Sequence, residues 1–227
     1  MIYPSELRRQ GALLNTNLRQ SYNLSATYSQ VINKRMQIAF NPEVVYQSGL
    51  LSTPFHRVYF QEQSQAKVEQ LPGTRLKIPL GVRFNYYLSD NILLRTYYRF
   101  YTDDWGVTGH TASIEVPFKI NRFFSIYPHY RYHTQTAADY FKPHKQHVLS
   151  ETFYTSDYDL SAFSSQQYGF GVHYSPLNGI GRMKVPTLGK KPPKLLLFKS
   201  IDLRGTLYDR SDGLKAWLLS LDMAFTF

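Results

Sequence analysis

L-K-A-W-L-L-S-L-D-M-A-F-T-F, residues 214–227, alternates without a break. Trp217, Leu219, Leu221, Met223, Phe225 and Phe227 fall on one face; Ala216, Leu218, Ser220, Asp222, Ala224 and Thr226 fall on the other. Successive side chains of a strand point to opposite faces, so this period predicts a β-strand. A strand apolar on one side and small or polar on the other, roughly ten residues long, has the pattern of a transmembrane β-barrel strand.

The same pattern recurs upstream. Period two appears over 18–32, 36–46, 74–88, 92–101, 108–120, 124–133, 166–176 and 195–208. The clearest case is 74–88, with Leu76, Ile78, Leu80, Val82, Phe84, Tyr86 and Leu88 opposite Arg75, Lys77, Gly81, Arg83 and Asn85. Turn residues separate these runs at Asn33-Lys34, Ser89-Asp90-Asn91, Asn121-Arg122 and Arg210-Ser211-Asp212-Gly213. Pro42 removes one ladder donor from its strand and predicts a bulge there. Residues 1–16 read as an N-terminal arm or partial strand, and 17–227 as the barrel, with long loops near 47–73 and 134–165.

Composition fits this reading. The chain has 227 residues, 19 Tyr and 15 Phe, and its mean hydropathy is negative. Abundant Tyr at low hydropathy is expected where alternate residues face lipid and aromatic girdles mark the interfaces. No run of eighteen apolar residues predicts a spanning helix; the longest apolar cluster is Leu195-Leu196-Leu197-Phe198. With no Cys, disulfides and thiolate metal sites are excluded. The net charge of +10 fits a solvated basic surface, attraction to anionic headgroups, or an anion-favouring lumen. Nucleic acid is not an expected partner, because the basic residues alternate along strands instead of clustering on a helix. The opening M-I-Y-P-S-E-L-R-R-Q lacks the apolar core of a signal peptide, so this chain reads as mature, truncated or part of a longer precursor.

If residues 214–227 end in the periplasm, the short turns fall on that side and the long loops fall outside. The segment 177–194 departs from the pattern, being long and periplasmic; its Lys190, Lys191 and Lys194 are placed to dock an anionic surface or partner. A terminal Phe on such a strand resembles the signal that outer-membrane barrels present to their insertion machinery, which gives Phe225 and Phe227 that expected role.

Three stretches carry a family resemblance: S-Q-V-I-N-K-R-M-Q-I at 29–38, Y-Q-S-G-L-L-S-T-P-F-H-R-V at 46–58, and Y-D-R-S-D-G-L-K-A-W-L-L-S at 208–220. They resemble an uncharacterised family of bacterial outer-membrane barrels, of the domain of unknown function 3570 type. The last stretch is similar to that family's final hairpin, in which Ser-Asp-Gly-Leu precedes the closing strand. The resemblance implies a fold and a location, extra N-terminal strands in a longer parent, and no activity or site.

On the polar faces, read as the lumen, stand Arg75, Lys77, Arg83, Arg95, Arg99, Lys119, Arg131 and Arg204, with Glu43, Glu115, Asp202 and Asp222. Buried charges require partners, and Arg forks onto carboxylates, so these residues predict an ion-paired lattice that fills the lumen. The excess of Arg keeps a second reading open, a pore lined by unpaired cations. His129 and His133 lie about 13 Å apart along one strand, too far for one metal ion. His144 and His147 read as solvated loop histidines. The aromatics of 134–165, among them Tyr140, Phe141, Phe153, Tyr154, Tyr158 and Phe163, predict a plug or cap, a partner surface, or strands continued above the membrane.

The expectation is therefore an all-β, antiparallel, up-and-down transmembrane β-barrel of about ten strands, integral to a bacterial outer membrane. Its expected function is that of a structural or partner-binding subunit of an envelope complex. The alternative is a narrow anion-preferring channel; a membrane-embedded hydrolase is a distant third. Expected partners are outer-membrane lipid, the barrel-insertion machinery, and other envelope proteins through the outer loops or 177–194. No catalytic residue, metal ligand or cofactor is expected.

Overall fold

The computed structural model describes residues 18–61, 65–185 and 194–226. Fourteen strands form: β1 (Gln20–Ser25), β2 (Tyr28–Asn33), β3 (Met36–Ser48), β4 (Arg57–Val58), β5 (Lys67–Val68), β6 (Thr74–Tyr87), β7 (Leu93–Asp103), β8 (Thr108–Glu115), β9 (Phe118–Lys119), β10 (Phe124–Gln135), β11 (Phe163–Tyr174), β12 (Gly181–Val185), β13 (Lys194–Arg210) and β14 (Lys215–Thr226). The one helical element among the described residues is a single 3₁₀ turn, Tyr158–Leu160.

Twelve of the strands make one antiparallel sheet, and β4 pairs with β5 in a small ribbon. Three lines of the sheet are interrupted. β1 and β2 lie along the same edge of β3, as β8 and β9 do along β10 and β11 and β12 along β13. Treating each pair as one line leaves nine, joined in chain order, each to the next. That is an up-and-down meander.

The interruptions have local causes. Residues 26–27 stand opposite Pro42, and the Ala26 N–H reaches the Pro42 carbonyl at 3.1 Å. The pairing of β3 with β6 keeps one register from Met36↔Tyr86 to Ser48↔Thr74, so the bulge predicted at Pro42 does not form. The missing Pro N–H falls on the β1–β2 side, and that line breaks instead. Pro128 of β10 acts on the β8–β9 line in the same way: the Val116 N–H reaches the Pro128 carbonyl at 3.0 Å, so the missing Pro N–H falls on that side. Between β11 and β12, residues 175–180 loop out opposite 199–200.

Register carries one parity across the sheet outside two shifts, between Val31 and Asn33 and between Phe198 and Ser200. Gln30, Ile38, Phe84, Thr96, Ile114, Tyr130, Tyr168, Leu207 and Trp217 stand in one cross-strand row. The next row on the opposite face runs Ser29, Ala39, Arg83, Tyr97, Ser113, Arg131, Gln167, Tyr208 and Ala216. One face is thus predominantly aromatic and aliphatic, and largely exposed; Trp217 is 84% accessible. The few fully buried side chains lie elsewhere, in the loops at one end.

The described sheet is open. Its outer lines, β1–β2 and β14, pair on one side only among the described residues. With nine antiparallel lines, the first and last run in the same direction and are not antiparallel partners for each other. The candidate tenth strand within residues 1–16 lies outside the described residues.

The segments 49–61, 65–73, 104–107 and 136–162 all lie at one end of the sheet and pack together. Trp105, Val107 and Ala138 form one buried cluster, with Leu51, Leu71, Tyr140, Phe141 and Leu160 against it. Val58, Phe60 and Tyr154 form a second. Of the basic segment 177–194, β12 extends the sheet along β13, while Lys190 and Lys191 lie outside the described residues.

Candidate functional site: the polar face and its loop cap

Long side chains of the polar face reach over the strands between them. Arg204 on β13 places Nη2 3.3 Å from Glu115 Oε2 on β8, with β10 and β11 in between. In a flat sheet those lines lie roughly 14 Å apart, so the sheet curls toward this face and it is the concave one. The other Glu115 oxygen accepts from Arg95 Nη1 at 2.8 Å.

The same crossing recurs at two levels. The Tyr127 hydroxyl donates to Asp202 over Gly171, and His129 Nε2 meets Thr206 Oγ1 at 3.1 Å over Gly169. These glycines are required. A Cβ on Gly171 would stand 2.0 Å from the Tyr127 ring, and one on Gly169 would stand 2.2 Å from the His129 ring. The concave face is therefore layered: side chains lie flat across glycine slots, and a charged lattice sits among them.

The remaining charged residues of the polar face divide into paired and unpaired groups. Arg99 Nη2 meets Glu43 Oε2 at 3.3 Å, skipping β6. Asp202 also has His173 Nδ1 at 3.3 Å, and Arg204 lies 4.9 Å from the centre of the Tyr127 ring. Lys77 stands level with Asp103 in the ladder. Arg83 sits 5.9 Å from the Tyr97 ring, and neither it nor Arg131 forms an ion pair with a described carboxylate. Asp222 is exposed, level with Asp202 but outside the lattice, and Lys119 is exposed on β9.

Arg75 is ion-paired in a network at the loop end of the sheet. It is held at the loop end by Asp103, with Nε at 3.0 Å and Nη2 at 2.5 Å, and stacks 4.2 Å from the Trp105 ring. The Asp103 side chain is 0% exposed and also accepts from Tyr101 Oη and from the Trp105 and Val107 N–H groups. Arg210 is a second such anchor, buried against Phe163 and joined to Asp159 at 2.7 Å. Arg210 reads as turn chemistry in the sequence; alternation alone carries no signal of its burial or of that of Asp103.

The loop aromatics form a folded cap. Ring centres lie 5.6 Å apart for Tyr140–Phe153 and for Phe141–Tyr158, and 4.9 Å apart for Phe60–Tyr154. His147 is 1% exposed, which corrects the expectation of a solvated histidine. Its Nε2 lies 2.8 Å from the Thr155 carbonyl and its Nδ1 2.5 Å from Glu151 Oε2. His144 does lie at the surface, tilted against Tyr59 at 4.8 Å. Burial pushes the Glu151 carboxyl up, but hydrogen bonds from Lys142 and His147 outweigh it and hold the group below the usual carboxylate range.

Phe225 stacks on Phe198 at 5.0 Å at the other end of the sheet; Phe227 lies outside the described residues. No curated protein matches this chain. A family model described as "Protein of unknown function (DUF3570)" matches residues 5–184, which includes the stretches 29–38 and 46–58 but not 208–220. That match spans more than half of the sequence, and the chain belongs to this family.

Proposed function

We propose that this chain is the wall of a bacterial outer-membrane β-barrel, with its apolar convex face in lipid and its concave face filled. In this reading it is a structural or partner-binding subunit of an envelope complex, and its loop cap is the surface offered outward. The supporting observation is the Arg204–Glu115 contact: side chains from lines three apart meet over the concave face. The exposed aromatic and aliphatic face adds support, because a contiguous apolar surface of this extent marks a membrane or a partner. Single-channel recording of the purified full-length protein in a planar bilayer tests it. A filled barrel gives no stable openings; large, long-lived conductance steps overturn the reading.

One observation favours a second reading, a narrow anion-preferring channel. Arg83 and Arg131 stand in one concave row, both exposed and both without a carboxylate among the described residues. In that case reversal potentials in a salt gradient show anion preference, and replacing Arg83 and Arg131 by Gln lowers it. Selectivity unchanged by both substitutions excludes this reading.

A further inference from the structure

The loop cap holds a carboxylate whose charge is poorly compensated. The Glu69 side chain is 2% exposed. It accepts the Thr53 N–H at 2.5 Å and the Thr155 hydroxyl, both neutral donors. Among the described residues, the one basic group within 4.0 Å is the His56 imidazole, with Nδ1 3.7 Å from Glu69 Oε1. Buried carboxylates are paired or coordinate metal ions.

A third ligand completes a set. One donor atom from each of His56, Glu69 and Asp157 lies within 4.8 Å of the other two. Donor atoms sharing a tetrahedral Zn²⁺ ion sit roughly 3.3 Å apart, given bond lengths near 2.0 Å. The observed spacing therefore needs an inward shift on the order of 1 Å, within the reach of side-chain rotation.

The surroundings fix these ligands independently of any ion. Thr155 is 0% exposed. Its hydroxyl donates to Glu69 and accepts the Asp157 N–H at 3.0 Å, so one buried group orients two carboxylate residues. Asp157 Oδ1 caps the 3₁₀ turn through the Asp159 N–H at 3.0 Å. The backbone joins the other two ligands, with the Glu69 N–H on the His56 carbonyl at 3.1 Å. Support of this kind around ligating groups is what metal sites use to hold their geometry.

From this geometry we infer that His56, Glu69 and Asp157 form a binding site for a first-row divalent metal ion, Zn²⁺ being the fitting probe. An imidazole with two carboxylates suits such an ion better than Mg²⁺ or Ca²⁺, which take all-oxygen sets. His56 is exposed, so the ion keeps positions open to water. It joins the loop 49–73 to the loop 136–162 and supplies the positive charge that Glu69 lacks.

The test is Zn²⁺ titration of the full chain in detergent micelles, by calorimetry with elemental analysis of the dialysed protein. Wild type binds one equivalent, with a raised thermal midpoint, and excess Ca²⁺ does not compete. His56→Ala and Asp157→Asn each weaken binding at least tenfold and remove the thermal shift. Both side chains lie outside the buried clusters, and circular dichroism checks that each variant is folded. His144→Ala, a loop histidine outside the set, binds like wild type. Absence of stoichiometric Zn²⁺ binding, or binding that survives both ligand substitutions, overturns the assignment.

Discussion

Arg204 on β13 and Glu115 on β8 meet at 3.3 Å although two strands lie between them. The contact fixes the direction of curvature, and with it the inner and outer faces. Both groups are partly exposed, so the pair belongs with those whose coupling is modest. A double-mutant cycle with Arg204→Met and Glu115→Gln, read by urea unfolding in micelles, gives a coupling of about 0.5–1 kcal/mol. Strict additivity would show that the two side chains do not interact in the folded protein.

Gly171 leaves the space in which the Tyr127 ring lies. A Cβ there would stand 2.0 Å from that ring. Gly171→Val is predicted to destabilise the sheet by about 1–3 kcal/mol, through the forced displacement of Tyr127. Gly205 has nothing within 4 Å of its Cβ position, and Gly205→Ala stays within about 0.5 kcal/mol of wild type. Equal effects at the two sites would contradict the layered packing.

The loop cap loosens in acid with a defined sign. The folded-state Glu151 carboxyl titrates below its ordinary range, so its contribution is fully present above the unfolded value and is lost as pH falls through the folded one. Limited proteolysis of 136–162 should accelerate below about pH 4, by an amount corresponding to about 1 kcal/mol. Glu151→Gln flattens this acid limb while raising cleavage at neutral pH. A Glu151→Gln profile that keeps the full acid limb would sink the assignment.

Much of the sheet was legible from alternation, because a half-buried strand writes its two faces into every second residue. The line 74–88 and the final strand, β14, needed nothing further. Three features were not legible. Pro42 carries a local signal for a bulge, but whether the ladder breaks on its own strand or on its neighbour depends on which side its absent N–H faces. Gly169 and Gly171 read as polar-face residues; that they are slots for His129 and Tyr127 follows from cross-strand register. His147 reads as a solvated histidine among lysines, and its burial depends on residues 60 and 154 from two different loops. Non-local contacts of this kind leave no period in the sequence.

The two faces differ in their tolerance to charge. Leu221 sits opposite Leu203 in mid-strand on the convex face. In a lipid-inserted barrel, Leu221→Arg costs about 2–4 kcal/mol, seen as a fall in the folded fraction on insertion into liposomes. Ser220→Gln, one residue away on the concave face, changes insertion by about 0.5 kcal/mol or less. Comparable losses at both positions would argue against a lipid-facing side.

The central claim, that the apolar face meets lipid and the polar face does not, is tested most directly by scanning β14 with single cysteines. The chain has no native Cys, so each label reports one position. Nitroxides at 217–224 in reconstituted bilayers should show accessibility to a lipid-soluble relaxant that alternates with period two, high at Trp217, Leu219, Leu221 and Met223. Uniform accessibility to a water-soluble relaxant along both faces would contradict the account.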